Sequence, residues 1–244
     1  MKRQLTFDTE TTGLNPDDGH RVVELAAVEL IDGVKTGKNF YALINPERSI
    51  PEEVVRIHHI DDEKVKDSPK FREIADKFLE FITGAELLIH NADFDIKMIN
   101  NELDIINKGK IWDYVTNSIC TMKMSRRLYK SEKKHSLDAL AIRFNISLDE
   151  RAAKGHGALL DCELLADAYI AMIKEHPISD IEAEIALTNW VRPTIKRYEG
   201  LILPEAVANE REEKLNGLYL NKLEEATKVV PIFNKVFNSS KLSM

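Results

Sequence analysis

Residues 5–10, Leu5-Thr6-Phe7-Asp8-Thr9-Glu10, form a strand-length run of β-formers closed by the turn-like Thr11-Thr12-Gly13. Alternate side chains of a strand share a face, so Asp8 and Glu10 point one way while Phe7 and Thr9 point the other. Two anions held side by side repel, and on a buried strand one of them stays protonated unless a cation lies between them. Hard oxygen ligands of this kind suit Mg²⁺ or Mn²⁺. An isolated Asp-x-Glu pair is usually a solvated strand end, so the pair gains meaning only from what accompanies it.

What accompanies it is a mixture of strands and helices. Residues 22–30 and 40–44 read as two further strands, joined by a turn around Asp32-Gly33. Three sequential strands with short connections predict an antiparallel start. Residues 71–81 place apolar groups at helical spacing after Pro69, residues 86–89 make a short apolar strand, and residues 94–99 open another helix. A helix-then-strand crossover predicts an α/β sandwich whose later strands are parallel.

The second acidic segment, His90-Asn91-Ala92-Asp93-Phe94-Asp95, follows the 86–89 strand, where ligand sites of open α/β sheets gather. Asp93 is the expected N-cap, which leaves Asp95 in the first helical turn, where the helix dipole favours a carboxylate. A surface acid is the alternative reading. The third segment, Gly155-His156-Gly157-Ala158-Leu159-Leu160-Asp161, leads into a helix so apolar over 162–172 that it reads as mostly buried. Asp161 is costly there without a partner. Five residues turn an α-helix by roughly 140° beyond a full circle, so His156 belongs to the glycine-flanked entry and not to the face of Asp161. From there it can swing over a metal held by Asp161, and its reference pKa of about 6.5 suits it to take a proton from water. A plain loop histidine is the competing reading.

Charge and composition bound the partners. A formal net charge of −7 over 244 residues argues against gripping nucleic acid by bulk electrostatics, so a nuclease of this charge should bind weakly alone. Cys120 and Cys162 are isolated, as suits a reducing cytoplasm. No apolar h-region follows Met1-Lys2-Arg3-Gln4 and no long apolar stretch occurs later, so neither export nor a membrane span is expected and the localisation reads as cytoplasmic.

In this order the three acidic segments resemble the DEDDh family of 3′→5′ exonucleases, and within it the proofreading ε branch of bacterial DNA polymerase III. The residues that carry the likeness are Phe7-Asp8-Thr9-Glu10-Thr11-Thr12-Gly13-Leu14, Ile89-His90-Asn91-Ala92-Asp93-Phe94-Asp95-Ile96 and His156-Gly157-Ala158-Leu159-Leu160-Asp161. Ser136-Leu137-Asp138-Ala139-Leu140 follows the ε pattern too. The resemblance implies an α/β, ribonuclease H-like fold, a mixed five-stranded sheet flanked by helices, with a helical or extended C-terminal tail. It implies two divalent metal ions, Mg²⁺ or Mn²⁺. Asp8, Glu10 and Asp161 would hold the ion that binds the attacking water, Asp8 would bridge to the second, Asp95 would complete the site largely through water, and His156 would be the general base. Thr11, Thr12, Leu14, His58, Asn91 and Phe94 are the implied contacts to the 3′ end of single-stranded DNA. Leu14 and Phe94 also read as core residues, and His58 as a surface-loop residue.

The chain departs from that pattern in two places. Where the ε branch has His-Gly-Ile, this sequence has His58-His59-Ile60, which predicts a stiffer loop beside the site. The linker of the branch tends to carry a sliding-clamp peptide beginning with glutamine, yet Gln4 is the only glutamine here; residues 182–187 keep the apolar spacing behind a glutamate, for which an amphipathic helix is the simpler account. The basic segment 122–135 reads equally as a guide for the single strand and as a solvated helix face.

Residues 1–174 are thus expected to form the exonuclease domain, and 175–244 a linker and tail with a polar helix from about 205 to 228. By resemblance the tail binds the polymerase (alpha) subunit of DNA polymerase III, with a small accessory subunit as a further partner and no membrane. A free-standing exonuclease trimming RNA or short oligonucleotides would share the same site, and the tail is what favours the replicase. A catalytically silent subunit that only braces the polymerase is the non-enzymatic alternative, and the intact set of acids argues against it.

Overall fold

The computed structural model describes residues 2–176. The expected linker, polar helix and clamp-like peptide lie outside the described residues. In chain order the elements are β1 (Arg3–Thr11), β2 (Val22–Ile31), β3 (Val34–Leu43), α1 (Glu52–His58), α2 (Asp62–Val65), α3 (Phe71–Ile82), β4 (Glu86–Ile89), α4 (Ala92–Ile105), β5 (Asn117–Cys120), α5 (Thr121–Leu128), α6 (Leu137–Arg143), α7 (Asp149–Lys154) and α8 (Ala158–Glu175). The five strands lie in the order β3-β2-β1-β4-β5. β1 to β3 pair antiparallel, whereas β4 pairs parallel with both β1 and β5. This is the mixed sheet flanked by helices that the sequence predicts.

The period-two alternation of β1 divides the core. Leu5 and Phe7 face one apolar cluster with Phe71, Phe78 and Leu103. α3 enters it with buried Phe71, Ala75, Phe78, Leu79 and Ile82, the stripe of an amphipathic helix. The Phe78 ring lies 5.9 Å from Phe7, 5.5 Å from Phe40 and 6.4 Å from Phe71, so truncating it to Ala should cost about 3–5 kcal/mol. The other face of β1 carries Gln4 and Thr6, which bond to α8. Thr6 Oγ1 donates to the Cys162 carbonyl at 2.9 Å and Gln4 Nε2 to the Tyr169 hydroxyl at 3.0 Å.

Three boundaries differ from expectation. β3 begins at Val34 and not at 40, because Asp32 (φ 49°) and Gly33 (φ 78°) form a two-residue turn with both central residues left-handed, and pairing resumes at once with Ile31 opposite Val34. α4 begins at Ala92, and its cap is Asn91 (φ 71°), not Asp93. The Asp93 carboxylate instead reaches outward to Lys123 at 2.7 Å. α8 runs to Glu175, whose carboxylate accepts the Tyr129 hydroxyl at 2.7 Å, and the His176 ring packs edge-on to Tyr129 at 5.3 Å.

Candidate active site

Phe7 pairs with Ile89 across the parallel β1–β4 ladder, so the carboxyl ends of these strands lie side by side. Beyond Phe7, β1 runs past the end of β4, still paired with β2, and presents Asp8 and Glu10 on the face it shares with α8. The chain leaves β4 through His90 and Asn91 and places Asp95 in the first turns of α4, where it is buried at 2 % exposure. Asp95 Oδ1 accepts the Thr9 backbone N–H at 3.1 Å and the Thr9 hydroxyl at 2.7 Å. Asp95 is therefore tied to β1 itself and is not a surface acid.

α8 delivers the remaining groups. Gly157 precedes the helix in extended conformation, and Asp161 lies one turn in, buried, with its N–H bonded to the Gly157 carbonyl at 2.9 Å. His156 stands in the entry loop, as its spacing predicts, with its side chain 45 % exposed. Ligand atoms of Glu10, His156 and Asp161 all lie within 4.8 Å of one another.

Burial, and for Asp8 and Glu10 the neighbouring carboxylates as well, raises the pKa values of Asp8, Glu10 and Asp95. Burial first, then Asp95, Glu10 and Asp161, hold Asp8 well above its ordinary range. Burial, Asp161, Glu24 and Asp95 push Glu10 up to about 8. Burial pushes Asp95 up to about 7 against the opposing hydrogen bonds from Thr9. A site that must protonate to relieve itself is one that a cation would stabilise. Asp161 Oδ1 is buried and has no hydrogen-bond partner among the described residues. An all-carboxylate donor set with one oxygen left open fits hard divalent cations.

Two residues of this site carried no signal in the sequence. Arg151, in the charged run of α7, folds back so that Nη2 lies 3.0 Å from Asp161 Oδ2 and 2.8 Å from His156 Nδ1, while Nη1 bonds Asp138 at 2.6 Å. It lowers the pKa of both Asp8 and Glu10. Glu24 of β2 accepts the Ala158 N–H at 2.6 Å and the Tyr41 hydroxyl at 2.8 Å, capping α8 from the sheet. Both partnerships join segments distant in sequence or carried on another element, which no local pattern records.

The remaining candidates divide. Leu14 is 82 % exposed, which removes its core reading. Phe94 is half-buried against the main core, and Asn91 is exposed at the head of α4. The hydroxyls of Thr11 and Thr12 are engaged internally, Thr11 donating to the Gly13 carbonyl at 2.8 Å and Thr12 accepting the Arg21 N–H at 3.0 Å. His58 is not a surface-loop residue: it is 3 % exposed, because α1 folds it beneath the end of β1. Its Nδ1 accepts the Ile60 N–H at 3.1 Å, so the ring hydrogen is on Nε2, 3.3 Å from the Thr11 carbonyl, and burial holds its pKa below the ordinary value.

Residues 5–169 match the family described as "Exonuclease". The chain belongs to the exonuclease family. Among curated relatives, the DNA polymerase III subunit epsilon of Rickettsia felis is 46 % identical over 171 residues, covering 70 % of this chain and 73 % of its own. The DNA polymerase III subunit epsilon of Escherichia coli K12 is 39 % identical over 180 residues, 70 % of this chain and 72 % of its own. Exonuclease X, solved in complex with 5′ overhanging duplex DNA, aligns with a TM-score of 0.56 at 27 % identity over 71 % of this chain and 92 % of that one. The nuclease domain of 3′hExo, described as a DEDDh family member bound to rAMP, aligns with a TM-score of 0.61 at 17 % identity over 72 % and 93 %, a likeness of fold. No described helix of this exonuclease-family chain is long and apolar enough to cross a membrane.

Proposed function

We propose that this chain is the proofreading 3′→5′ exonuclease subunit of a bacterial replicative DNA polymerase, removing mispaired 3′-terminal deoxynucleotides as 5′-monophosphates. The observation that carries the chemistry is the convergence of Asp8, Glu10, Asp95 and Asp161 on one cluster in which the carboxyls of Asp8, Glu10 and Asp95 are driven toward protonation. The epsilon-subunit relatives support the replicase setting.

In this reading Asp8, Glu10 and Asp161 supply ligand oxygens for two divalent cations, Mg²⁺ or Mn²⁺, and Asp95 completes the set. When bound, such ions lower the pKa of water and offset the charge that builds on the phosphoryl oxygens and the departing 3′ oxygen. His156 takes the proton from the attacking water, and its half-exposed ring can pass that proton to solvent. Arg151 holds His156 and Asp161 together from the protein side. Leu14, exposed beside the end of β1, would press against the terminal base, with Asn91 and Phe94 at the head of α4.

The test is degradation of 3′-labelled single-stranded DNA against the matched RNA, with and without Mg²⁺. The proposal expects Mg²⁺-dependent release of 5′-mononucleotides with DNA preferred. A strong preference for RNA would favour the free-standing trimming enzyme, and no cleavage of either would favour the bracing subunit.

A further inference from the structure

The departure at His58-His59-Ile60 lies against the loop that carries His156. His59 ends α1 with φ 56° and ψ 32°, a left-handed conformation that suits glycine and that residues bearing a Cβ seldom keep. Its ring gives a reason for keeping it. Nδ1 lies 3.0 Å from the Lys154 carbonyl at the end of α7; a carbonyl only accepts, so Nδ1 carries the hydrogen. One residue on, Gly155 (φ 78°) turns its bare α-carbon to the same ring, and a Cβ there would meet both His59 Cε1 and the Ile57 carbonyl oxygen at 2.9 Å. That Ile57 carbonyl in turn accepts the His156 N–H at 3.0 Å. Two hydrogen bonds and one close-packed face therefore fasten residues 154–156 to the end of α1.

We propose that His59 is a positioning residue for His156: its imidazole clasps the Lys154 carbonyl and the face of Gly155, fixing the backbone from which the base projects. A glycine at this place would take the left-handed turn without strain but would carry no clasp. Arg151 restrains the ring of His156, and the clasp restrains its main chain. The inference rests on the reading of His156 as the general base.

The effect is separable from stability. His59→Gly removes the clasp while relieving the backbone, so the melting temperature should hold or rise and KM for single-stranded DNA should stay put. Its kcat should fall about 3- to 10-fold, the factor for one hydrogen bond of this kind. Asparagine tolerates the left-handed turn and offers a side-chain N–H the same number of bonds from the backbone, so His59→Asn should recover most of the lost turnover. Gly155→Ala should open the clasp from the other side and lose at least as much. Wild-type kcat in His59→Gly, or a His59→Asn enzyme no better than His59→Gly, would overturn the proposal. His156→Ala, measured alongside, should lose about 10²- to 10⁴-fold in turnover with metal binding intact. Full activity in that variant overturns the base assignment and the clasp with it, whereas a crippled His156→Ala beside an unimpaired His59→Gly overturns the clasp alone.

Discussion

Glu24 accepts the backbone N–H of Ala158 at 2.6 Å, so a carboxylate of the sheet caps the helix that carries Asp161. Four N–H groups at a helix start have no partner within the helix, and here the usual side-chain cap is missing because Gly157 occupies the cap position. Glu24→Ala would leave this buried N–H unpaired, at a cost of roughly 1–3 kcal/mol. Denaturant unfolding should show a lower midpoint, with nuclease activity falling as the head of α8 loosens. An unchanged midpoint would mean the cap contributes nothing.

Asp8 and Asp161 should respond differently to removal, although both are expected to abolish nuclease activity. Asp8 is raised by burial and by three neighbouring carboxyls, so Asp8→Ala relieves repulsion, and without metal the protein should be at least as stable as wild type. Asp161 is paired with Arg151 at 3.0 Å in a buried setting, and Asp161→Ala takes away one of the two carboxylates that hold the guanidinium, leaving Asp138 alone, so metal-free stability should drop. Melting curves in EDTA distinguish the two. Substantial exonuclease activity in either variant would remove that residue from the site.

The raised carboxyl pKa values fix the sign of a pH effect. Glu10 near 8 and Asp95 near 7 stand above their ordinary values of 4.5 and 3.8, so between about pH 4 and pH 8 these two carboxyls hold more protons in the folded protein than in the unfolded chain. Their contribution to the stability of the metal-free protein therefore falls as pH rises through this window. Divalent cations must displace the same protons, so the gain in melting temperature on adding Mg²⁺ should be larger at pH 8 than at pH 5.5. An equal gain at both pH values would contradict this.

The account of the tail predicts a clean division of labour. Because Glu175 and His176 both contact Tyr129, the cut belongs after His176. Residues 1–176 should degrade single-stranded DNA but fail to co-purify with the polymerase subunit. A tether of this kind raises the local enzyme concentration to about the millimolar range, which would offset the weak DNA affinity of a chain with net charge −7. Polymerase binding retained by the shortened protein would place the docking surface in the nuclease domain instead.

The strand carrying Asp8 and Glu10 was legible because a two-residue period assigns faces without any knowledge of neighbours. α3 and α8 were legible through helical spacing and through an apolar run too long to expose. The entry-loop position of His156 followed from helix geometry alone. Arg151 and Glu24 were not legible, since the first looks like one more charge on the exposed helix α7 and the second like a polar interruption in β2. The surface-loop reading of His58 failed for a related reason: nothing local tells a loop histidine from one that a neighbouring strand end covers. The true start of β3 was hidden because Lys35, Lys38 and Asn39 on the sheet edge do not alternate with apolar residues, as edge strands often do not.

Asp8, Glu10 and Asp161, with Asp95 beside them, are proposed here as the cation site of the exonuclease. Anomalous scattering from crystals soaked in Mn²⁺ tests it most directly. Manganese peaks are expected between β1 and the head of α8, touching Asp8, Glu10 and the Asp161 Oδ1 that has no hydrogen-bond partner among the described residues, and should be lost in Asp8→Ala crystals. Manganese absent from this cluster in crystals of a preparation that is active with Mn²⁺ would contradict it.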